Sequence, residues 1–375
     1  MGKKGRRVRS SRVNTLPSKP FVSVCTPTFN RRPFIPALIE CFKSQTYDSS
    51  KMEWIVVDDG TDSVEDLFAD VPNVKYYRET PKMPLGKKRN YMHSKCKGDV
   101  IVYMDDDDYY PNTRVAHAVA RLKESPEALC AGSSAMHTYF PDLDQVWMFG
   151  PYGDRHCTAA SMAFKRALLT RTSYEDGAAL AEEKHFLKNY TIPFVQLDPL
   201  KTMTVVAHAH NTFDKHELIE NGPDEYAKLD STPISELISD PVQCEFYSKK
   251  VHTLLLDYPD GLPDKKPEVK EQYNQMKEKR EAARRNAFRT GVQVNENGKL
   301  RELSTDEVLA SLQQQVQAIE ALKARVQARD ALIEKLRAQL IAEQQKNEQK
   351  HGKSSGGQTS DDPSPDEEAV DIDGH

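Results

Sequence analysis

The chain has 375 residues, of which 38% are apolar and 29% charged, with a formal net charge of -5. That is enough for one large or two modest domains, with part of the chain left outside any packed core. A run of about 18 apolar residues is lacking, so no transmembrane helix is expected, and the charged start MGKKGRRVRSS has no apolar stretch behind it, so it is not expected to be a secretory signal. A soluble, cytoplasmic protein without integral membrane contact is the expectation. The six cysteines are scattered without a C-x-x-C pair, several inside apolar runs, and read as reduced core residues rather than zinc ligands.

The two ends are polarised. Residues 1–20 carry seven Lys or Arg and no acid, whereas residues 361–375 carry seven Asp or Glu and no Lys or Arg. Such segments bury too little to fold alone, so 1–20 is expected as a basic disordered arm and 348–375 as an acidic disordered tail.

From residue 21 the pattern runs strand, helix, strand, strand, helix, strand. FVSVCTPTFN is a continuous apolar run, a helical period follows over 34–45, EWIVVDDGT and VKYYRE are further runs, GKKRNYMHSKCKG is helical, and DVIVYM leads into DDDD. Runs apolar on both faces suit a parallel sheet covered by helices. Three of them end in polar residues at the carboxyl edge, where open α/β sheets bind ligands. A helix is expected over 111–125 and a strong one over 175–189, with short strands between 130 and 210. Residues 261–301 read as a helical linker. Over 302–347 a heptad places Leu312, Ile319, Val326, Ile333 and Leu340 at one position and Val308, Leu322 and Leu336 at another, interrupted by Gln315 and Arg329. This predicts a coiled coil and a homo-oligomer, dimer or trimer.

The carboxyl-edge residues carry the chemistry. Asp105–Asp108 place four carboxylates side by side at a strand end. Hard oxygens converging there suit Mg2+ or Mn2+, which turns their repulsion into coordination. Asp58 and Asp59 end a second run, where an acid can accept from a base N–H or a ribose hydroxyl. Thr26, Pro27, Thr28, Asn30 and Arg31 end the first, offering hydroxyls, amides and a guanidinium. Lys87, Lys88 and Arg89, followed by Asn90, open a helix, and cations at a helix start make an anion site. Together these groups match what a nucleoside diphosphate requires. Further on, VVAHAHNT places His208 and His210 on one face of a strand.

In the order VSVCTPTFNR, WIVVDDGTDS, LGKKRNYMHSKCKGDVIVYMDDDDYYPN, then an acidic helix, the chain resembles a GT-A-fold glycosyltransferase of family 2 over about residues 21–215. The resemblance implies an α/β GT-A domain over 21–260, with a nucleotide-binding half (21–115) and an acceptor half (116–260). It implies a UDP- or GDP-sugar donor, a glycan or other hydroxyl acceptor, a divalent metal and the DxD motif. Asp105 would contact ribose or phosphate, Asp107 would hold the metal, and Asp106 would support the donor. Asp59 would be the base- or ribose-binding acid, beside Asp58, and Arg89 and Asn90 would contact the donor. A late histidine, His208 or His210, would complete the metal shell. Inverting transfer also needs a carboxylate base. The family carries an acidic pair at a helix start, and two candidates exist, Glu175-Asp176 and Glu182-Glu183, with Glu183 favoured. The rival readings are a non-catalytic sugar-nucleotide-binding protein, a coiled-coil scaffold, and a glycosyltransferase acting on nucleic-acid bases, the last suggested by the basic arm.

Overall fold

A computed structural model describes residues 15–289 apart from 213 and 221, and within the remainder 293–296, 299–304, 306–317, 319–323, 325–326, 329 and 333. The chain forms two compact units, Met1–Arg280 and Glu281–His375.

The first unit is built on a seven-stranded sheet. Its first half alternates strand and helix: β1 (Val22–Thr28), α1 (Ile35–Lys43), β2 (Met52–Asp58), α2 (Glu65–Phe68), β3 (Val74–Arg78), α3 (Leu85–Lys95), β4 (Val100–Tyr103) and α4 (Arg114–Glu124). Its second half is mostly strands: β5 (Cys130–Gly132), β6 (Met136–Phe140), β7 (Gln145–Phe149), β8 (Ala163–Lys165), the short α5 (Glu183–Phe186), β9 (Phe194–Gln196), β10 (Thr204–Val206) and β11 (Ala227–Asp230). Helices α6 (Ile234–Leu237), α7 (Pro241–Glu245), α8 (Val251–Leu256) and α9 (Pro267–Arg289) follow.

The main sheet has the order β3-β2-β1-β4-β8-β5-β9, and β10-β6-β7-β11 form a second sheet. Strands β3, β2, β1 and β4 are parallel, while β8 runs antiparallel between β4 and β5. Period-two alternation explains why the early runs are apolar throughout. Val22, Val24, Trp54, Val56, Val100 and Val102 enter one core, and Cys25, Ile55, Val57, Ile101 and Tyr103 enter the core on the opposite face. Chain order reverses between β1 and β4, so a crevice opens there beyond the strand ends. Thr28 pairs with Asp58 at that edge, and Met104 N donates to Cys25 O at 3.1 Å. The observed strands and helices of residues 22–124 agree with the sequence reading, except that the short α2 stands between β2 and β3, where no helix was expected.

The long helix expected over 175–189 is not formed. Only Glu183–Phe186 is α-helical, and Ala181, Lys188, Asn189 and Tyr190 have φ between 50° and 60°. Left-handed residues on both sides end the helix after one turn. Aromatic packing then fixes the segment, since Phe186 stacks on Tyr174 at 4.4 Å.

The segment assigned to a helical linker, 261–301, holds short turns at Pro259–Gly261 and Pro263–Lys265, then α9, then the hairpin of β12 (Gln293–Glu296) and β13 (Lys299–Glu302). In the second unit the described residues from 306 onward are helical. Leu312, Ile319, Leu322, Val326 and Ile333 of the heptad are 39–56% exposed. Leu336, Leu340 and the rest of the expected coiled coil to 347 lie outside the described residues, as do the arm 1–14 and the tail from 348. No helix among the described residues is long and apolar enough to cross a membrane.

Trp54 ties sheet to helices in this core. Its ring is fully buried, stacks on Phe42 at 4.4 Å and meets Phe68 edge-on at 5.2 Å, and its Nε1 donates to Thr26 Oγ1 at 2.9 Å. Trp54→Ala is expected to cost about 3–5 kcal/mol through the cavity it leaves. Urea unfolding of the variant against wild type measures this.

Candidate active site

The crevice beyond β1 and β4 is a cleft lined by Pro27, Thr28, Phe29 and Arg31 on one side, by Lys82, Met83, Leu85, Lys88 and Arg89 on another, and by Asp105, Asp106 and Asp107 at its base. Three elements aim these residues. The end of β1 presents Pro27–Arg31, α3 points its first turn at the cleft, and the chain leaving β4 carries the aspartates.

Burying successive carboxylates is costly unless cations and donors meet them. Burial pushes the Asp105, Asp106 and Asp108 carboxyls up, Asp106 to about 6, and the Asp107 charge adds to this in each case. Asp107 goes the other way. Burial would raise it, but a hydrogen bond from His208 and the Arg31 charge hold it well below the usual carboxylate range. Arg31 Nε lies 3.5 Å from Asp107 Oδ2 and 3.8 Å from Asp106 Oδ1, while its other nitrogens donate to His210 O at 2.6 Å and Gly261 O at 3.0 Å. Asp105 N donates to Tyr110 Oη at 2.7 Å, and Tyr247 Oη donates to Asp108 O at 3.0 Å. Arg114, buried below, donates to the carbonyls of Ser161 and Met162 at 2.8 and 3.0 Å.

Arg89 joins two parts of the site. Its Nε donates to Glu182 Oε1 at 2.8 Å, its Nη2 lies 3.5 Å from Asp105, and its guanidinium sits 4.5 Å above the Tyr103 ring. Burial works against the Arg89 charge, but Asp105 and Glu182 outweigh it and hold the guanidinium firmly protonated. Glu182 is therefore committed to an ion pair. Glu183, one residue on, is raised to about 7 by burial and by the neighbouring Glu182 charge. Glu175 and Asp176 are placed differently. Glu175 is exposed and 3.3 Å from His185 Nδ1, and Asp176 accepts from Asn90 Nδ2 at 2.8 Å. Gly86 keeps α3 close to this loop: a Cβ there would meet Glu175 O at 2.1 Å, and Gly86 N donates to Ala178 O at 2.8 Å.

His208 and His210 separate. His208 Nε2 lies 3.3 Å from Asp107 Oδ2, and burial pushes its ring down to about 3, so it is neutral. The His210 ring turns toward Gly261, whose added Cβ would lie 2.4 Å from Nδ1, and toward Tyr258. Among the described residues no three His, Cys, Asp or Glu side chains converge as a metal cage. The Asp107–His208 spacing nevertheless suits neighbouring ligands of one ion, which stand about 3 Å apart when bonds are near 2.1 Å.

Several residues singled out in the sequence shape the cleft from behind. Thr26 donates to Met104 O at 2.7 Å, fixing the β4 exit. Asn30 accepts from the amides of Thr61 and Asp62 at 2.7 and 3.1 Å and donates to Asp260 O at 2.8 Å. Asp58 accepts from Gly60 N, Val64 N and Tyr76 Oη at 2.8, 3.2 and 2.5 Å. Asp59 accepts from Met83 N at 2.7 Å and pairs with Lys88. Asn90 clamps Tyr174 through 2.9 Å bonds in both directions. Lys87 is exposed and off the cleft, where Lys88 takes the place expected for it. Sequence reasoning missed Lys82, Ala179, Thr212, Lys266, Glu268 and Val269, all of which line the cleft. Only Lys82, just before the basic helix start, carried a signal that could have been used.

Residues 23–150 match the family described as Glycosyl transferase family 2. Among curated proteins, the chain is similar to the poly(ribitol-phosphate) β-N-acetylglucosaminyltransferase TarS of Staphylococcus aureus, 29% identical over 107 residues, which are 27% of this chain and 19% of that protein. It is also similar to an uncharacterized glycosyltransferase of Haemophilus influenzae, 30% identical over 108 residues, 28% of this chain and 35% of that protein. The chain thus spans only 19% to 35% of the length of these relatives. Among solved structures, a mannosyltransferase of Pyrobaculum calidifontis in complex with GDP-Man and Mn2+ aligns with a TM-score of 0.41 at 19% identity, over 53% of this chain and 61% of that one. Residues 23–150, which carry the cleft's aspartates and basic helix start, are thus the part of this α/β fold that matches the glycosyl transferase family 2 model.

Proposed function

We propose that the protein is an inverting, metal-dependent glycosyltransferase that moves a sugar from a UDP- or GDP-sugar to an acceptor hydroxyl. The observation that carries this reading is the link Asp105–Arg89–Glu182, which fixes the donor-side aspartates relative to a second carboxylate, Glu183, whose pKa is near 7.

Residues that line the cleft, with His208 and Glu183 tied to them through Asp107 and through Arg89 and Glu182, divide the work. Arg31, Lys88 and Arg89 set a positive field around the aspartates and orient an anionic donor. Asp107 would hold Mn2+ or Mg2+, with His208 as the adjacent neutral ligand and donor phosphates in the open positions. Bound there, the ion would neutralise charge on the leaving diphosphate. Glu183, ionised, accepts the acceptor hydroxyl proton. The acceptor oxygen bonds to the anomeric carbon on the face opposite the leaving group, the bond from that carbon to the phosphate oxygen breaks, and configuration inverts. A carboxylate titrating near 7 is matched to base catalysis at neutral pH, where a surface Glu would be a weaker base. Glu182 cannot take this role while it is bound to Arg89.

The exposed Leu312, Ile319, Leu322, Val326 and Ile333 support assembly of the chain as a homo-oligomer through 302–347.

Glu183→Gln is expected to lower kcat by roughly 10²–10⁴-fold while leaving UDP or GDP binding intact. A base works when ionised, so kcat/KM of the wild type should rise with pH through about 7 and level off above it. The pH profile of product release from UDP- and GDP-sugars, with Mn2+, tests both; wild-type turnover in the variant would refute the assignment.

Asp107→Ala should abolish the gain in nucleoside diphosphate affinity that Mn2+ confers, read by calorimetry with and without the ion. An undiminished Mn2+ effect would remove Asp107 from the metal site.

A further inference from the structure

One wall of the cleft comes from far beyond the family segment. The chain returns to the donor side at Tyr258, whose hydroxyl donates to Asp62 Oδ2 at 2.8 Å. Asn30 then holds Asp260 O and Arg31 holds Gly261 O, at 2.8 and 3.0 Å. After the turn Pro263–Lys265 the chain enters α9, where Gln272 donates to Gly177 O at 2.8 Å and accepts from Ala179 N at 2.9 Å. Glu268 pairs with Lys82 across the cleft mouth. Residues 258–272 are therefore a strap, tied at one end to the loops after β1 and β2 and at the other to the loop before Glu182. Between the ties, Lys266, Glu268 and Val269 face the cleft.

The cations on this cleft are unequal. Lys88 is bound to Asp59 and to Thr28 O, Arg89 to Glu182 and Asp105, Arg31 to three carbonyls and the aspartates, and Lys82 to Glu268. Lys266 is different. Among the described residues its ammonium has no hydrogen-bond or ion-pair partner, and it stands 5.7 Å from the centre of the Phe29 ring, on the cleft wall. The charges of Asp106 and Asp107 favour this half-buried ammonium from beyond ion-pair distance, but burial and the Arg31 charge outweigh them and push it down to about 7, so an anion placed beside it in the cleft would secure its charge. A donor diphosphate enters where Asp106 and Asp107 already lie, so it needs positive charge from the opposite wall as well as from an ion.

We propose that Lys266 binds the diphosphate of the donor, and that the strap 258–272 completes the donor site. This rests on the donor reading above. Lys266 delivers its charge from a segment held by the same residues, Asn30 and Arg31, that shape the end of β1, so its position is set before the ligand arrives. Lys82 also lies over the Phe29 ring, 4.7 Å from its centre, but its charge is engaged by Glu268, whereas that of Lys266 is not.

The test is calorimetry on the full chain with UDP and GDP, each with Mn2+, and with uridine and guanosine as phosphate-free probes. Lys266→Met keeps the stem that packs beside Phe29 and removes the charge; Lys266→Arg restores charge and guards against a folding defect. Lys266→Met should weaken diphosphate binding about tenfold or more, with nucleoside binding unchanged, and Lys266→Arg should recover most of the loss. Equal binding by Lys266→Met and wild type would overturn the proposal while leaving the donor reading standing. Tighter binding by Lys266→Met would also overturn it, identifying Lys266 as a plug that the donor must displace. Wild-type protein that binds neither diphosphate would sink the donor reading and this proposal together.

Discussion

Four successive carboxylates at the end of a buried strand are the constraint around which this protein is arranged. Left uncompensated, such a run would repel itself and resist burial. The fold answers with charge drawn from every neighbouring segment. Arg31 comes from the end of β1, Lys88 and Arg89 from the first turns of α3, and Lys266 from the strap before α9. Tyrosines from α4's approach and from the turn after α7 hold the backbone at both ends of the run. Long-range contacts thus converge on one strand end because the charge there must be met.

This compensation also gives the site its order. Arg89 cannot serve Asp105 without also fixing Glu182, so the position of α5 follows from the charge balance at β4. Burial raises the Glu183 carboxyl, and the charge of Glu182, held in place by Arg89, adds to this and brings it to about 7. One buried guanidinium therefore separates two adjacent glutamates into an ion-paired group and one raised to about 7, the group proposed above as the proton acceptor. A buried charge of this kind contributes little net stability, because desolvation opposes the Coulomb gain. Its contribution is geometric.

The first half of the fold was legible because its signals are local. A parallel strand buried on both faces must be apolar throughout, and three such runs mark β1, β2 and β4, while the half-buried β3 shows as the mixed run VKYYRE. The aspartates and Arg31 were legible for the same reason, since they follow those runs at the carboxyl edge, and Arg89 was legible from the basic start of α3. What a side chain does there was less legible. Asn30 and Asp58 lie where donor ligands were expected, but they spend their hydrogen bonds on loop amides. Lys87 and Lys88 look alike in sequence, and the helix phase separates them. Met92 lies four residues after Lys88 and is buried with it, so Lys88 faces inward and Lys87 outward. The helix expected over 175–189 failed because composition favours a helix there, while left-handed residues at Ala181 and 188–190 and the Tyr174–Phe186 stack impose a different path.

Lys266 marks the limit of that kind of reading. Nothing around it has the periodicity of a strand or a helix core, and the sequence DKKPEVK looks like a solvated linker. Its place in the cleft is decided by hydrogen bonds to residues some 230 positions earlier, Asn30 to Asp260 and Arg31 to Gly261. Those bonds also explain why Asn30 and Arg31 stand immediately after β1. They read the strap as much as they face the aspartates. The family segment ends at residue 150, so the aspartates and the basic helix start lie inside it, while the base helix and the strap lie outside. Two of the tertiary ties that join these parts are Arg89 to Glu182 and Arg31 to Gly261. Each tie begins on a residue whose other contact is an aspartate of the β4 exit, so the same charges that made that strand end costly to bury hold the rest of the site against it.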